Sequence, residues 1–321
     1  MPTIAPTSSP IPHPPKAAPM RAPTAIAAPV VPTSRPEAVA SECGEFVPAA
    51  AIPAGGYHPA CNTAFPLCEP ESGKVRYMER IVLVHGSVTG GRMTWASAAD
   101  ALADRFDVVV LDRPGFPPGP PVDRVDFEEH AIWVSDRLVE GDHLVGHSYG
   151  GVVSLLAAAR TPELLRSLTV VEPPCTSVAL DNPAVATFAR GGAELWEHGP
   201  RDDPEAFLRT FLVAVGSNFE PPSPLSPELE QGARALVAER GPWEAEIPLA
   251  RLAAAPFPKL VVSGAHHAAF TGICDVLERE LSAVRLDLPG CGHSAQRHSE
   301  FPARLADFIE RAVARETEPG A

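Results

Sequence analysis

The strongest constraint on the fold of this chain is a glycine-flanked serine between two apolar segments. Gly146-His147-Ser148-Tyr149-Gly150 follows a short apolar stretch and precedes small and aliphatic residues at helix-forming length, which is the strand–turn–helix context of a G-x-S-x-G motif. In so tight a turn, side chains at Gly146 or Gly150 would collide with the neighbouring strand or helix, while Ser148 is held in a strained conformation with its hydroxyl pointing outward. A glycine-rich turn of any parallel α/β protein is the alternative interpretation. The flanking context favours Ser148 as a nucleophile.

Strand-like and helix-like segments alternate on both sides of this turn. Buried strands are predicted at residues 81–84, 106–111, 168–171, 259–263 and 284–288, with a short strand at 75–77. Helices are predicted at residues 95–102 and at the end of the chain from Phe301. A further helix is predicted to begin at Asp126, with Glu129 as its capping-box partner and Leu138 on its apolar face. Such alternation indicates a parallel sheet covered by helices on both faces, whose ligands bind at the carboxyl ends of the strands.

Between residues 175 and 255 the pattern changes to helices without intervening buried strands. The clearest are at 204–215 and 226–240, the second with Ser226 as N-cap and Pro227 at the first helical position. A helical insertion placed directly after a strand end would lie over the carboxyl edge of the sheet. We therefore predict that this segment is a lid.

Four motifs occur in the chain order of a known family. They are Val82-Leu83-Val84-His85-Gly86, Asp112-Arg113-Pro114-Gly115, the turn at residues 146–151, and Gly290-Cys291-Gly292-His293-Ser294. With these motifs, residues 75 to 315 resemble the α/β-hydrolase fold in its lidded, esterase-like branch. The resemblance implies a mostly parallel sheet covered by helices on both faces, with a core at 75–174 and 256–315 and a helical lid at 175–255, inserted after the sixth strand.

The resemblance also implies a nucleophile, an acid and a histidine base in that chain order. Serine is a weak nucleophile at neutral pH and needs a neighbouring base to accept its proton. His293 follows the last strand in a glycine-rich loop and is the expected base. The histidines of the other motifs, His85 and His147, are expected to be structural, and His298 is expected to be solvated.

Two carboxylates compete for the role of the acid. The family's usual position follows the penultimate strand, but that strand runs into residues 264–267 and no carboxylate occurs before Asp275. Glu172 stands directly at the end of the preceding strand, where some members of the fold carry their acid, although it could merely terminate that strand before Pro173. A carboxylate is needed to fix the imidazole tautomer and to stabilise its cation. We predict Glu172, with Asp275 as the alternative.

Charge that develops on a substrate carbonyl oxygen requires preorganised hydrogen-bond donors. The backbone N–H of Tyr149 lies at the positive end of the helix after the nucleophile. The N–H of Ser87 is the second donor implied by the resemblance. Ser87 and Tyr149 are therefore the predicted oxyanion hole.

The function that follows is a serine hydrolase that cleaves a carboxylic ester or a related acyl bond through an acyl-enzyme, acting on a small acyl substrate. No P-loop, dinucleotide-binding motif or paired-histidine motif is present, so we expect neither a cofactor nor a metal. Thioester or lactone hydrolysis, carbon–carbon bond cleavage and cofactor-free perhydrolysis remain alternatives on the same site. A noncatalytic binding protein that retains the fold is the alternative from another class.

Composition restricts partners and location. The formal net charge of -14 argues against nucleic-acid binding, and no apolar run approaches the roughly 18 residues of a membrane span. With no recognisable signal peptide we expect a cytoplasmic protein.

The first 74 residues differ in composition from the rest of the chain. Sixteen of the 38 prolines lie before residue 75, so residues 1–74 are predicted to be a Pro/Ala-rich disordered arm. Cys43, Cys61 and Cys68 lie in the arm, where a bridge between Cys61 and Cys68 is conceivable for an exported protein. Three more cysteines, Cys175, Cys274 and Cys291, lie in the main domain. Most of the six are expected to be ordinary thiols.

Overall fold

The predicted parallel sheet is confirmed by the structure, a computed structural model that describes residues 78–317. Within this range six strands pair in parallel in the order β2-β1-β3-β4-β5-β6. They are β1 Arg80–Val84, β2 Asp107–Leu111, β3 Asp142–His147, β4 Leu165–Val171, β5 Lys259–Ser263 and β6 Val284–Asp287. The strand predicted at residues 75–77, the arm and its three cysteines lie outside the described residues.

Helices cover both faces of the sheet. They are α1 Gly91–Leu102, α2 Phe127–Ser135, α3 Tyr149–Arg160, α4 Pro183–His198, α5 Pro204–Ala214, α6 Pro227–Ala238, α7 Leu249–Ala254, α8 Ala268–Leu281 and α9 Phe301–Thr317. Alternate residues of β1 belong to different cores, because successive strand side chains point to opposite faces. Ile81 packs in the cluster that contains residues of α1 and α9, and Val82 packs in the cluster that contains residues of α2, α3 and α8.

The helix caps follow the sequence signals. The Asp126 carboxylate accepts the backbone N–H groups of Glu128 and Glu129, and the Ser226 hydroxyl accepts that of Leu229. The helix capped by Asp126 ends at Ser135, earlier than expected, so Leu138 is not on its apolar face. Leu138 is nevertheless buried, in the turn that follows.

The helical insertion α4–α7 lies between β4 and β5. Helices α4, α5 and α6 have their own buried cluster, which includes Trp196, Phe207 and Leu229 and also contacts Val88 in the loop after β1. The insertion follows β4, the fourth of the described strands. The residues before 78 lie outside the described range, so its predicted place after a sixth strand stays a prediction. No helix in the described range is long and apolar enough to cross a membrane.

Candidate active site

The backbone at Ser148 has the strained geometry that the sequence predicted. Ser148 has φ 53° and ψ −125° and connects β3 directly to α3. Its N–H donates to the Val171 carbonyl oxygen at 2.9 Å, which fixes the turn to the end of β4. A Cβ atom on Gly146 would lie 2.8 Å from Ser154 Cβ, and one on Gly150 would lie 2.6 Å from the Val84 carbonyl oxygen. Only glycine fits at both positions, so the flanking glycines allow the serine to be presented at the strand end.

The structure brings Ser148, His293 and Glu172 together. The Ser148 Oγ lies 2.8 Å from His293 Nε2, and His293 Nδ1 lies 3.2 Å from Glu172 Oε2. All three residues are buried. Because an ionised carboxylate only accepts hydrogen bonds, His293 Nδ1 carries a proton and Nε2 is left to accept the Ser148 hydroxyl.

Glu172 is held by four groups in a fully buried position. Its Oε1 accepts hydrogen bonds from the Ser263 hydroxyl at 2.8 Å and the Gly264 N–H at 2.6 Å, and its Oε2 faces His293. Burial alone would raise the pKa of this carboxyl group, but the hydrogen bond and charge of His293, together with His266 and the Gly264 N–H, hold the pKa below its usual value. Glu172 is therefore ionised at neutral pH.

The alternative acid, Asp275, is not at this site. It lies on α8 with a side chain that is 60% exposed, and its Oδ1 accepts from Arg285 at 3.0 Å. Three groups at the end of β5 and just after it, the Ser263 hydroxyl, the Gly264 N–H and the His266 imidazole, surround Glu172 instead. The segment where the family usually carries its acid thus contributes partners for the Glu172 carboxylate.

Ser87 and Tyr149, whose N–H groups form the predicted oxyanion hole, line the same cavity as Ser148. Tyr149 is the first residue of α3. Gly86 brings the chain against the nucleophile, since a Cβ atom there would lie 2.9 Å from Ser148 Cβ. Ser87 follows directly after this close approach.

A buried ion pair behind Ser87 was not predicted from the sequence. Glu239, just after α6, accepts the Ser87 hydroxyl at 2.6 Å and pairs with Arg113 at 3.3 Å. Arg113 also donates to the carbonyl oxygens of His85 and Gly86. Burial raises the pKa of Glu239 to about 7, although Arg113 and the Ser87 hydroxyl oppose this shift. The only sequence signal was Arg113 in its motif, because the partner lies 126 residues away.

These observations agree with the comparisons to known proteins. A profile described as the alpha/beta hydrolase family matches residues 81–308, which is more than half of the chain. The chain belongs to the alpha/beta hydrolase family.

The individual relatives of this chain are distant in sequence. It is 31% identical over 181 residues to the pimeloyl-[acyl-carrier protein] methyl ester esterase of Aeromonas hydrophila, an alignment that covers 54% of this chain and 64% of the relative. The match thus spans less than two thirds of that esterase. Several relatives of the chain are named as esterases and hydrolases.

Solved structures show the same fold at low sequence identity. A membrane phospholipase A, described as a bacterial virulence factor, superposes with a TM-score of 0.57 at 23% identity over 74% of this chain and 80% of that chain. MenH from S. aureus superposes with a TM-score of 0.54 at 16% identity, over 73% of this chain and 94% of that chain.

The other motif histidines of the hydrolase are structural, as expected. His85 Nε2 accepts the Arg113 N–H at 2.9 Å, and His147 Nε2 donates to the His293 carbonyl oxygen at 2.9 Å. Burial lowers the pKa of His147 to about 3. The expectation that His298 is solvated is wrong: it is buried, and its Nδ1 accepts the Glu300 N–H because the loop folds back to start α9.

A second imidazole faces the buried carboxylate. His266 Nε2 donates to the Val215 carbonyl oxygen at 2.9 Å, and its Nδ1 lies 3.4 Å from Glu172 Oε2. The ligand atoms of Glu172, His266 and His293 all lie within 4.8 Å of one another, a donor set that zinc can use. A metal there would take the His293 Nδ1 that donates to Glu172, and we assign no metal to these residues.

Two cavities meet at Ser148. The larger has a volume of about 190 Å³ and a mainly apolar wall, which includes the aromatic side chains of Tyr149, Phe188, Trp196, Phe211, Trp243 and Phe270. The smaller has a volume of about 70 Å³ and includes His293, His147, Thr94 and Gln296. Phe211 and Val215 line both cavities, so the helical insertion contributes to each.

Two of the three described cysteines are the ordinary thiols that we expected. Cys175 and Cys274 are free and buried, and burial raises the pKa of Cys175 to about 12. Cys291, two residues before His293, is disulfide-bonded.

Proposed function

We propose that this protein is a serine hydrolase that cleaves carboxylic esters through an acyl-enzyme intermediate, with Ser148 as nucleophile, His293 as base and Glu172 as acid. The observation that carries the proposal is the continuous chain of contacts from Ser148 Oγ to His293 at 2.8 Å and from His293 to Glu172 at 3.2 Å. These contacts lie in a member of a family whose named relatives include esterases.

In this mechanism Ser148 Oγ attacks the carbonyl carbon of the ester while its proton passes to His293 Nε2. The ionised Glu172 stabilises the imidazolium and keeps Nδ1 protonated. His293 Nε2 then donates the proton to the departing alcohol oxygen, and the acyl group remains on Ser148. Water, activated by the same nitrogen, releases the acid and restores the serine.

The oxyanion of each tetrahedral intermediate would be bound by the N–H groups of Ser87 and Tyr149. Removing one such donor typically costs about 10²- to 10³-fold in rate. Since both donors are main-chain groups, their alignment depends on the backbone. Gly86 and the Glu239–Arg113 pair support that backbone on the Ser87 side.

We also propose that residues 175–255 act as a lid. Helices α4 and α5 supply aromatic wall residues of the larger cavity, including Trp196 and Phe211. A wall of this kind excludes water from the acyl group and strengthens the electrostatic interactions at the oxyanion.

A fluorophosphonate probe tests the proposed function. The probe should modify Ser148, as located by peptide mapping, and labelling should be lost when the protein is first unfolded. The labelled protein should no longer hydrolyse p-nitrophenyl butyrate. Labelling of a different residue, or none together with no hydrolysis, would instead favour the noncatalytic binding protein.

A further inference from the structure

The larger cavity at Ser148 lies on the acyl side of the reaction. Its lining includes Ser148 together with Ser87 and Tyr149, whose N–H groups are the proposed oxyanion donors. His293, which must protonate the departing alcohol, lines the smaller cavity and not the larger one. The acyl group is therefore assigned to the larger cavity and the alcohol to the smaller. This assignment rests on the proposed function.

The wall of the larger cavity suits an apolar acyl group without charge. The lining is mainly apolar, and no basic side chain contributes to it in the described part of the chain. The carboxylate that lines it, Glu239, already pairs with Arg113 at 3.3 Å. A substrate carboxylate bound here would lose its hydration without gaining a cationic partner, which is strongly unfavourable. An acyl group that ends in a carboxylate is thus disfavoured.

The larger cavity has more space than a small acyl group fills. Roughly 10–15 Å³ of such a volume holds one water-sized group, so a cavity of about 190 Å³ holds about fifteen. An acetyl group offers a single methyl group to this space and leaves most of the wall without contacts. Since burying apolar surface strengthens binding, kcat/KM should rise with the size of the acyl group until the cavity is filled.

The indole of Trp243, which lines this cavity, is accommodated by two glycines. A Cβ atom on Gly192 of α4 would lie 2.8 Å from Trp243 Cζ3, and one on Gly241 would overlap Trp243 Cζ2. Because protein interiors are close-packed, a side chain at either position would displace the ring. The two glycines therefore allow a bulky side chain to form this part of the wall.

A second tryptophan supports the indole of Trp243. The Trp196 ring meets it edge to face, with the ring centroids 5.3 Å apart, and Trp196 Nε1 donates to the Glu239 carbonyl oxygen at 2.8 Å. Trp196 also packs edge to face on Phe207, with centroids 5.0 Å apart, in the buried cluster of the insertion. Such aromatic contacts favour a fixed arrangement of the rings, so Trp243 is held in the wall of the cavity.

We infer that this protein acts on esters of bulky, uncharged, apolar acids of about the size of an arylacetic acid, and that Trp243 determines the largest acyl group that it accepts. A smaller side chain at position 243 would enlarge the cavity and admit an acyl group that the parent enzyme excludes. The reaction remains that of the proposed function: the bond between the acyl carbon and the alcohol oxygen breaks, one water molecule is consumed, and the acid and the alcohol are released.

Four p-nitrophenyl esters with one leaving group test the acyl cavity: the acetate, the phenylacetate, the (4-biphenylyl)acetate and the (4-carboxyphenyl)acetate. For the parent enzyme, kcat/KM for the phenylacetate should exceed that for the acetate by at least about 10-fold, because the ring contacts the apolar wall. The other two esters should each be cleaved at least about 10-fold less efficiently than the phenylacetate, the biphenylylacetate because of its length and the carboxyphenylacetate because of its charge. The absorbance of p-nitrophenolate measures all four reactions, and the rate with Ser148→Ala is subtracted as background.

Three variants test the role of Trp243. Trp243→Ala should raise the ratio of kcat/KM for the biphenylylacetate to that for the phenylacetate by at least about 10-fold. Trp243→Phe keeps a smaller ring in the wall and should raise the same ratio by about threefold, which provides the test if the alanine variant folds poorly. Trp133→Ala removes the same type of side chain from α2, outside both cavities, and as the matched control should leave the ratio unchanged.

The outcomes separate this inference from the proposed function. Equal kcat/KM values for the acetate and the phenylacetate, or efficient cleavage of the carboxyphenylacetate, would overturn the substrate class. A ratio that is the same in the parent enzyme and both Trp243 variants, or that rises equally in Trp133→Ala, would overturn the role of Trp243. In these cases the fluorophosphonate still labels Ser148 and the proposed function stands. If Ser148 is not labelled and no ester is cleaved, the proposed function itself fails.

Discussion

Left-handed backbone conformations mark the edge of the sheet where the active site lies. Ser148, Glu172 and Ala265 follow β3, β4 and β5 and have φ values of 53°, 50° and 49°. Val88, in the loop after β1, has φ 75°. Non-glycine residues adopt this region at a cost that the surrounding structure must offset, and such residues cluster at functional sites. These residues follow the carboxyl ends of four neighbouring strands, β1, β3, β4 and β5, at one edge of the sheet.

Replacing the nucleophile tests the most specific residue-scale claim. Ser148→Ala should abolish turnover of p-nitrophenyl butyrate, because no other group then attacks the carbonyl carbon, and should leave the circular dichroism spectrum and the Tm nearly unchanged. Ser97→Ala, on an exposed position of α1, is the control and should retain full activity. Activity of the Ser148 variant within tenfold of the parent enzyme would refute the assignment.

Replacing the acid tests the second residue-scale claim. Glu172→Gln retains the shape of the side chain but presents an amide that can favour the wrong imidazole tautomer, so kcat should fall by up to about 10⁴-fold. Asp275→Asn is the matched control and should change kcat little, since Asp275 pairs with Arg285 at an exposed position. Small, equal losses in both variants would mean that neither carboxylate orients His293.

At the scale of elements, helix α6 packs directly on the loop that carries the predicted oxyanion donor. A Cβ atom on Gly232 of α6 would overlap the Val88 carbonyl oxygen. Val88 follows Ser87, and the Ser87 hydroxyl is bound by Glu239 just beyond the end of α6. The helical insertion and the loop that carries Ser87 are therefore positioned by the same contacts.

Gly232→Ala should lower both stability and kcat, because α6 and the Ser87 loop must move apart to admit the methyl group. Alanine otherwise stabilises a helix interior by roughly 0.5–1 kcal/mol relative to glycine. Gly191→Ala on α4 is the control for stability: no atom lies within 4 Å of the added Cβ, so the Tm should be unchanged or rise. Urea unfolding and steady-state kinetics of both variants provide the measurement. An increase in stability for Gly232→Ala would contradict the proposed packing.

The elements that could be predicted are those whose signals are local. Strand ends, the Asp126 and Ser226 caps and the turn at Ser148 depend on residues within a few positions, and the structure confirms them. The ion pair of Arg113 and Glu239 joins two segments that are distant in the sequence. No motif in either segment predicts this contact. Chain order alone therefore predicted where the site lies but not how its walls are built.

At the scale of the whole molecule, buried neutral histidines couple stability to pH. Burial lowers the pKa of His130 and His147 to about 3 and that of His143 to about 4, and it lowers the pKa of His85 well below the ordinary value of 6.5. Arg113 adds to the shift at His130 and His85. These side chains stay neutral in the folded protein over a pH range in which the unfolded chain binds protons.

The sign of the pH effect follows from proton linkage. Above pH 6.5 the imidazoles are neutral in both states, so stability is retained; as the pH falls from 6.5 toward 4, the unfolded chain takes up protons that the folded chain excludes, and stability is lost. Glu239 opposes this loss between its ordinary pKa of 4.5 and about 7, because there the folded state holds the proton. Asp112 and Asp142, whose pKa values burial raises, act in the same direction as Glu239 at lower pH.

Four histidines against one glutamate leave a net uptake of about two to three protons on unfolding near pH 5, which corresponds to a loss of about 3 kcal/mol of unfolding free energy per pH unit. We therefore expect urea-unfolding midpoints to change little between pH 8.5 and 7.5, where the groups named here have the same protonation in both states, and to fall steeply between pH 6 and 4.5. The constant midpoints between pH 8.5 and 7.5 serve as the internal control for the fall between pH 6 and 4.5. A midpoint that stays constant down to pH 4.5 would show that these imidazoles gain protons without unfolding, which their burial beside Arg113, Ser167 and the His293 loop argues against.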